Sequence, residues 1–405
     1  MTGGGLVIVG GGQAAASAAA KARELDAGVP ITLLCGEPVL PYQRPPLSKK
    51  YLSGEMPLDR LVLRPQSWFD EHNITVRCGC FVTAIDRAQK SVALEDGAVV
   101  PYDKLLLVTG SVARRLPGHL EEGITGVHYL RDAVHADSMR PVLQAGKSLV
   151  VIGGGYIGLE VAAVAARMDM HVTLVEVAER ILQRVAAPLT SDFFRNLHRE
   201  NGVSIIESNG LAKFSATQGQ LDGAVLADGK TIAADLVLVG IGVLPAVDLA
   251  EQSGLLVENG IAVDRYCRTS DADIYAAGDC TSFDYRGTII RLESVPNAIH
   301  QGEVAAHNML GDSLVYEAKP WFWSDQYEVK LQIAGLNAGY DDTVTRRGKR
   351  PGSQSVWYYQ NDRLLAVDAM NDAPSFMMAR RILEAGKTIP KTIAADPSVN
   401  LKDWT

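Results

Sequence analysis

A short apolar strand followed by a glycine-rich turn occurs twice in this chain, in the segments 5–15 and 149–160. In a strand–turn–helix unit, such a turn lets the backbone approach a pyrophosphate and lets the helix pack closely on the strand. The amino terminus of the helix then offers N–H groups to the phosphates. The motif positions are Gly10, Gly12 and Ala15 in the first copy and Gly153, Gly155 and Gly158 in the second. Two copies predict two dinucleotide-binding units.

An acidic residue follows the second predicted strand of each unit. Glu176 lies about 20 residues beyond the second glycine turn, at the position that binds a ribose diol. Glu37 has the corresponding place in the first unit, at a somewhat greater distance, so a solvated loop residue remains the alternative. A 2′-phosphate would be repelled by Glu176 and Glu179, which favours NADH over NADPH. The nearby Arg184 weakens this preference without reversing it.

The segments 105–110 and 236–242 end the two units in the same way, which indicates an internal duplication. From about residue 316, aromatic residues and strands with an alternating pattern predict a mixed α+β domain. The predicted fold is α/β, with two Rossmann-like dinucleotide-binding domains, as in glutathione reductase, and a carboxyl-terminal α+β domain. The predicted boundaries are 1–112 and 242–315 for the first domain, 113–241 for the second and 316–405 for the third.

Composition excludes several classes of function. The net charge of −8 gives no general attraction to nucleic acid or to an anionic membrane. Apolar runs end before about 18 residues and the amino terminus has no signal-peptide pattern, so we expect a cytoplasmic protein. The five cysteines show neither C-x-x-C nor C-x4-C spacing, which argues against a disulfide reductase and against a metal site.

Several polar residues stand where a nucleotide site needs them. The prolines of the loop 41–49 are expected to forbid a helix and to stiffen the loop, which can then hold Arg44 and Lys49 in fixed positions. Asp279 follows a buried-type strand, at the end where parallel sheets bind ligands. Glu160 lies on an apolar helix, and a buried carboxylate there requires a partner. The alternative for each cation is a solvated surface residue.

Four segments make the whole chain similar to a known family: Pro-Tyr-Gln-Arg-Pro-Pro-Leu-Ser-Lys (41–49), Gly-Gly-Gly-Tyr-Ile-Gly-Leu-Glu (153–160), Glu-Ser-Val-Pro-Asn-Ala (293–298) and Trp-Phe-Trp-Ser-Asp-Gln-Tyr (321–327). With them, the chain resembles the FAD-dependent, NADH-oxidising ferredoxin reductases of the putidaredoxin reductase type. These enzymes serve bacterial cytochrome P450s and Rieske dioxygenases. The resemblance implies FAD on the first unit and NADH on the second.

The resemblance also implies roles for individual residues. The residues implied to contact FAD are Gly10, Gly12, Ala14, Ala15, Glu37, Arg44, Lys49, Val82, Thr109, Gly110, Arg131, Asp279 and Val295. Those implied to contact NADH are Gly153, Gly155, Tyr156, Ile157, Gly158, Glu176, Arg184 and Gly242. Tyr156 is expected to cover the flavin and to move when NADH binds, with a packed core tyrosine as the alternative. Lys49 is expected to pair with Glu160 near the flavin N5 atom.

The implied electron acceptor is an acidic [2Fe-2S] ferredoxin, and the chain is expected to be a monomer or a homodimer. A local excess of positive charge would steer such a partner, although a solvated face is equally compatible with the pattern. The basic residues are Arg346, Arg347, Lys349, Arg350, Arg380 and Arg381. Trp323 could shape the exit of electrons or belong to the core. Alternative functions are the reduction of rubredoxin or another carrier, and flavin-dependent signalling similar to that of apoptosis-inducing factors.

Overall fold

The structure is a computed structural model that describes residues 4–404, and the chain divides into two compact units. The first unit comprises residues 4–44, 58–112 and 243–320, and the second comprises 45–57, 113–242 and 321–404. The three domain boundaries derived from the sequence stay a prediction. Among the described residues, none of the helices combines the length and the apolar character that crossing a bilayer requires.

A five-stranded parallel sheet forms the centre of the first unit. Its first strand, Leu6–Val9, is buried along its whole length, as expected where both faces of a parallel sheet are covered. The strands pair in the order Ile274–Ala276, Lys104–Leu107, Leu6–Val9, Ile31–Cys35 and Ile74–Cys78. The carboxyl ends of these strands lie at one edge, and the predicted first-unit site residues follow directly after several of them.

Helices and two small sheets complete the first unit. Helix Gln13–Leu25 packs against helix Val295–Met309, and Gly302 allows the close approach, because a Cβ there would lie 2.7 Å from the Ala14 carbonyl oxygen. The shorter helices are Gln66–Glu71 and Asp248–Gln252, with a 3-10 turn at Leu58–Arg60. The small sheets comprise Val82–Asp86, Ser91–Leu94 and Val99–Pro101, and Ile261–Ala262, Thr281–Tyr285 and Thr288–Ile290.

The second unit repeats the parallel sheet. Its strands pair in the order Ser204–Ile206, His171–Val175, Ser148–Ile152, Leu236–Val239 and Val127–His128. Helix Tyr156–Arg167 follows the glycine turn directly, and Gly155 forms its amino-terminal cap. The other helices here are Ala133–Met139 and Pro188–Glu200, with an antiparallel sheet of Leu211–Thr217, Gln220–Leu226 and Thr231–Ala233. Two further short strands of the chain are Ser111–Ala113 and Val243–Pro245.

A second, antiparallel sheet of the second unit comes from the carboxyl-terminal part of the chain. Its order is Trp321–Gln326, Val329–Gly335, Arg363–Met370, Gln354–Gln360 and Asp342–Arg347. One face packs its Trp357 and Tyr359 side chains against helix Ala373–Glu384 and the segment that follows it. The other face turns Ser324, Tyr358 and Asp368 toward the helices Tyr156–Arg167 and Pro188–Glu200. The terminal elements are helix Lys391–Ala395 and the 3-10 turn Leu401–Trp404.

The proline-rich loop contains one helical turn that the sequence argument excluded. Pro45–Ser48 forms a 3-10 helix in the second unit, whereas the prolines were expected to forbid any helix. The expectation was wrong for this short turn because a proline in a first turn needs no N–H partner and already has a helical φ. The predicted α/β class, with two parallel-sheet domains and a mixed carboxyl-terminal domain, is confirmed.

Candidate functional site: two glycine loops and a buried ion pair

The first glycine loop has the geometry of a phosphate cradle. Gly10 has φ of +136°, and a Cβ at this position would lie 2.2 Å from the Val108 carbonyl oxygen, so only glycine fits. Gly12 caps helix Gln13–Leu25, and among residues 4–404 its missing Cβ faces open space and its cap includes no side-chain hydrogen bond. The N–H groups of the first turn therefore remain available to a pyrophosphate.

Glu37 follows the second strand of this sheet and is held by two neighbours on the adjacent loop. Its carboxylate accepts a hydrogen bond from the Tyr42 hydroxyl at 2.6 Å and pairs with the Arg44 guanidinium at 2.5 Å. The Glu37 and Arg44 side chains are 22% and 27% exposed, so water can still reach the pair. The predicted contact of Glu37 with a ribose stays a prediction.

The carboxyl ends of the neighbouring strands bring the other first-unit residues to the same edge. Ser111 donates a hydrogen bond of 3.1 Å to Asp279. Thr109 and Gly110 are both bonded to Ala246, through the Thr109 hydroxyl at 2.7 Å and the Gly110 carbonyl at 3.0 Å. Ala14 and Ala15 are buried in the first turn of helix Gln13–Leu25, and Val82 begins a short strand.

Helix Val295–Met309 begins at this edge with a capped amino terminus. The Ser294 side chain accepts a hydrogen bond from the Asn297 N–H, and Pro296 lies in the first turn, where a proline needs no N–H partner. This first turn contains no acidic residue, so the positive end of the helix dipole is not neutralised within it. A ligand with developing negative charge would be stabilised there.

The second glycine loop repeats this arrangement with a closer fit. Gly153 has φ of +107°, and a Cβ there would lie 2.4 Å from the Gly240 carbonyl oxygen. At Gly158 a Cβ would lie 2.2 Å from the Gly153 carbonyl oxygen. Gly155 caps helix Tyr156–Arg167, and among the described residues its missing Cβ again faces open space. This loop also fits a pyrophosphate.

Glu176 is bonded to the main chain of the glycine loop and of the turn that follows it. Its carboxylate accepts hydrogen bonds from the Gly154 N–H at 2.6 Å and from the Ala178 N–H at 2.8 Å. At the rim, Ile157 is 44% exposed and Arg184 is exposed, with its guanidinium 3.5 Å from a Cβ built at Gly242. The predicted NADH residues thus share one edge of the second unit.

Two residues expected to contact FAD, Lys49 and Arg131, belong to the second unit. Lys49 lies immediately after the 3-10 turn Pro45–Ser48, and Arg131 follows the edge strand Val127–His128 and is partly buried. Their predicted contacts with FAD stay predictions.

Glu160 forms a buried ion pair with Lys49. The Glu160 side chain is 3% exposed, and its Oε2 lies 2.6 Å from Lys49 Nζ. The Ser48 hydroxyl donates to the same oxygen at 2.5 Å, and the Ser324 hydroxyl donates to Oε1 at 2.7 Å. The predicted pairing is confirmed, and the three donors explain how a carboxylate is tolerated there. The catalytic role of the pair stays a prediction.

Tyr156 has a partly exposed side chain and a buried hydroxyl. Its ring centre lies 4.9 Å from that of Phe322. Within residues 4–404 the hydroxyl has no hydrogen-bond partner. Burial, together with the charge of Asp368, raises the pKa of the phenol well above its usual value. Its movement on NADH binding stays a prediction.

Sequence reasoning missed the serines that bind Glu160. Ser48 and Ser324 both lie in segments that resemble the family, which is a signal, but nothing in the linear sequence shows that they meet one carboxylate. It also missed a buried network of Thr190, Tyr358 and Asp368, for which the sequence offers no signal.

Arg346 does not belong to the predicted basic surface. It is 7% exposed and donates to carbonyl groups of the carboxyl-terminal segment, among them Val399 O at 2.8 Å. The expectation was wrong because this strand residue points into the sheet's packing, where main-chain carbonyls need a donor. Arg347, Lys349, Arg350 and Arg381 are exposed, while Arg380 pairs with Glu384 at 2.6 Å.

Comparison with known proteins connects this geometry to a family. Residues 5–302 match the family model described as pyridine nucleotide-disulphide oxidoreductase, and residues 321–405 match the reductase C-terminal domain. The chain is 44% identical to rhodocoxin reductase from Rhodococcus erythropolis, over 92% of this chain and 87% of that protein. It is 42% identical to putidaredoxin reductase from Pseudomonas putida, over 92% of this chain and 90% of the other.

The fold agrees with the sequence comparison. The crystal structure of a covalent putidaredoxin reductase–putidaredoxin complex matches with a TM-score of 0.94 and 39% identity, covering 100% of this chain and 98% of that one. These matches confirm the resemblance to the putidaredoxin-reductase-like ferredoxin reductases, the oxidoreductase class and the predicted cofactors FAD and NADH. The chain belongs to the pyridine nucleotide-disulphide oxidoreductase family and carries the C-terminal domain of its reductases.

Proposed function

We propose that this protein is an FAD-dependent NADH:ferredoxin reductase that passes electrons to a [2Fe-2S] ferredoxin of a cytochrome P450 or dioxygenase system. The observation that carries the proposal is the pair of glycine loops, each at the carboxyl edge of its own parallel sheet and each opening a helix. Bound FAD supplies the chemistry that accepts two electrons as a hydride and releases them one at a time. The protein binds and orients both nucleotides.

The first unit binds FAD. The N–H groups after Gly12 bind its pyrophosphate, and Glu37, held by Tyr42 and Arg44, accepts hydrogen bonds from the adenosine ribose. Asp279, oriented by Ser111, accepts from the ribityl hydroxyls. The positive end of helix Val295–Met309 stabilises negative charge on the reduced cofactor.

The second unit binds NADH. Gly155 and the first turn of helix Tyr156–Arg167 receive the pyrophosphate, and Glu176 binds the adenosine ribose. The Glu176 carboxylate, fixed by two N–H groups, leaves no room for a 2′-phosphate without charge repulsion. The preference for NADH over NADPH follows.

The Lys49–Glu160 pair has an electrostatic role. Glu160 and the two serines hold the Lys49 ammonium in one position, in an environment that water reaches poorly. An ammonium fixed in advance stabilises developing negative charge without reorganisation during the reaction. We therefore assign Lys49 to the hydride-transfer step and Glu160 and Ser324 to its positioning.

The partner is an acidic [2Fe-2S] ferredoxin. Support comes from the names of the relatives, rhodocoxin reductase and putidaredoxin reductase, and from the exposed cations Arg347, Lys349, Arg350 and Arg381. Opposite charge on the two proteins would make association fast and dependent on salt. The monomeric or dimeric state and the cytoplasmic location stay predictions.

The decisive experiment measures the flavin absorbance spectrum and the reduction of an electron acceptor with one preparation of the protein. The purified protein should show a flavin spectrum that NADH bleaches under anaerobic conditions faster than NADPH does. It should then reduce a [2Fe-2S] ferredoxin in a catalytic assay. A colourless preparation with full activity, or a flavin that NADH does not reduce, would overturn the proposal.

Rubredoxin serves as the competing acceptor in this assay. A rubredoxin-NAD(+) reductase from Pseudomonas putida is 38% identical over 84% of this chain, which makes rubredoxin the specific second candidate. If the protein reduced rubredoxin faster than every ferredoxin tested, rubredoxin would be the partner in place of ferredoxin. The enzyme class, an FAD-dependent NADH oxidoreductase, would stay the same. Flavin reduction by NADH without rapid transfer to either carrier would favour a signalling function instead.

A further inference from the structure

The carboxyl-terminal sheet of the second unit buries a carboxyl group, Asp368. The Asp368 residue is 0% exposed. Its Oδ2 accepts hydrogen bonds from the Thr190 hydroxyl at 2.8 Å and from the Tyr358 hydroxyl. The Tyr358 oxygen in turn accepts from the Ala187 N–H at 2.9 Å. The carboxyl group is therefore fixed to the start of helix Pro188–Glu200.

The other oxygen of this carboxyl group has no such partner. Among residues 4–404, both Asp368 Oδ1 and the Tyr156 hydroxyl are buried without a hydrogen-bond partner. A buried polar atom left in this state is destabilising, because its lost contact with water is not replaced. The two atoms are complementary, because a phenol donates and a carboxylate accepts.

Strand register places these two atoms on the same side of the sheet. The Tyr156 ring packs on Phe322, which lies opposite Ile333, and Ile333 lies opposite Asp368. Side chains directly opposite each other on paired strands share a face. The field of Asp368 also reaches the phenol, since its charge contributes to the raised pKa of Tyr156.

We propose that Asp368 is a positioning residue for Tyr156, and that its Oδ1 accepts the Tyr156 hydroxyl when the ring moves to admit the nicotinamide. This inference rests on the proposed function, because it requires NADH to bind at the second glycine loop. The ring then has two positions, one packed on Phe322 with its hydroxyl lacking a partner and one bonded to Asp368. Binding of the dinucleotide favours the second position.

The hydrogen bonds from Thr190 and Tyr358 hold the Asp368 carboxyl group in place. Thr190 and Tyr358 occupy Oδ2 and leave Oδ1 as the acceptor that remains. Burial raises the pKa of Asp368 to about 6, so the carboxylate is ionised at about pH 7.5 and accepts rather than donates. The carboxyl-terminal domain thereby supplies one residue that tunes affinity for the dinucleotide.

The test is a double-mutant cycle on NAD+ affinity. Asp368→Asn keeps the volume and an acceptor for Thr190 and Tyr358, but its amide nitrogen cannot accept from Tyr156. Tyr156→Phe removes the donor. Each variant should bind NAD+ about 5- to 10-fold more weakly by calorimetry, and the double variant should bind no more weakly than either single variant. The KM for NADH should rise in parallel, with FAD content unchanged.

A matched control separates positioning from stability. Tyr359→Phe removes a buried hydroxyl from the same sheet, on the strand of Tyr358 but on the opposite face, where it donates to the Ile389 carbonyl at 3.0 Å. It should lower the melting temperature without changing NAD+ affinity. The proposal would be overturned if the effects of Tyr156→Phe and Asp368→Asn on NAD+ affinity were additive. It would also be overturned if the Asp368→Asn protein bound NAD+ with wild-type affinity.

The single variant Tyr156→Phe keeps the proposal testable if Asp368→Asn fails to fold, because wild-type NAD+ affinity in Tyr156→Phe also overturns it. Failure of the proposed function gives a different result. In that case the wild-type protein itself would neither bind NAD+ nor reduce ferredoxin with NADH.

Discussion

The two glycine loops share one spacing but differ in how closely each helix packs. In the first loop the third position is Ala15, which is fully buried and accommodates its Cβ. In the second loop it is Gly158, where a Cβ would lie 2.2 Å from the Gly153 carbonyl oxygen. The same motif therefore tolerates a methyl group in one unit and excludes it in the other.

The acidic residue that follows each loop is also more tightly constrained in the second unit than in the first. Glu37 is held by side chains, those of Tyr42 and Arg44, whereas Glu176 is held by two main-chain N–H groups, one in the glycine loop and one in the turn after Glu176. Side chains can shift to adapt, but a main-chain contact moves only with the loop. The acidic residue of the second unit is thus the less adaptable of the two, and similar substitutions there should have the stronger effect.

The largest expected effect comes from adding a methyl group to the second loop. Gly158→Ala should lower kcat/KM for NADH on the order of 100-fold, because displacement of the loop by about 1 Å misplaces the nicotinamide. The protein should keep its flavin spectrum. Steady-state kinetics and the absorbance ratio of flavin to protein measure both properties.

The converse change in the first loop provides the comparison. Ala15→Gly should cost about 0.5–1 kcal/mol of stability, the usual penalty of glycine in a helix, and weaken FAD retention only slightly. If Gly158→Ala bound NADH as well as the wild type does, the difference in packing between the loops would have no functional meaning.

The two carboxylate–cation pairs should respond unequally to the loss of charge. Glu160→Gln should cost about 1.5–3 kcal/mol of stability and slow flavin reduction about tenfold, because it leaves the Lys49 ammonium without its buried partner. Glu37→Gln should cost less than about 1 kcal/mol, since both members of its pair are partly exposed. Urea unfolding and stopped-flow absorbance measure these effects. A wild-type reduction rate in Glu160→Gln would remove the pair from the mechanism.

A smaller effect is expected from Glu176, the carboxylate that we propose binds the ribose in the second unit. Glu176→Ala should raise the KM for NADH about tenfold and change the KM for NADPH much less, because it removes both the diol acceptor and the charge that repels a phosphate. The exposed neighbour Glu179 supplies the control, because Glu179→Ala removes a charge that repels a phosphate but keeps the main-chain contacts of Glu176, so the KM for NADH should stay unchanged. Equal changes for both nucleotides would show that Glu176 only supports the loop.

The smallest effect concerns pH and a histidine buried in the second unit. Burial lowers the pKa of His198, which is 0% exposed beside Gln326, to about 4. Between about pH 6.5 and pH 4 the unfolded chain takes up a proton that the folded His198 does not, so stability falls as pH falls.

His198→Gln should therefore reduce the drop in melting temperature between about pH 7 and pH 5. His171→Gln, at an exposed position, should leave that drop unchanged. His300 of the first unit is less buried, and burial lowers its pKa as well, so His300→Gln should have an intermediate effect. A larger change in this drop for His300→Gln than for His198→Gln would contradict the expected order of the two units.

Local patterns in the sequence determined the two nucleotide units. Strand, turn and helix follow one another within about 15 residues, so spacing alone predicts Gly10, Gly12, Gly153 and their helices. The positions of Glu37 and Glu176 after the second strands follow in the same way. The proline-rich turn at Pro45–Ser48 was misjudged because prolines at the start of a helical turn need no N–H partner.

Only the tertiary structure decided which distant side chains meet. Glu160 is separated from Lys49 and Ser324 by more than 100 residues, and the sequence cannot show that all three share one buried position. The contact of Asp368 with Thr190 and the burial of Arg346 arise for the same reason. A repeating pattern fixes neighbours within one strand or helix, whereas contacts between segments depend on how whole elements pack against each other.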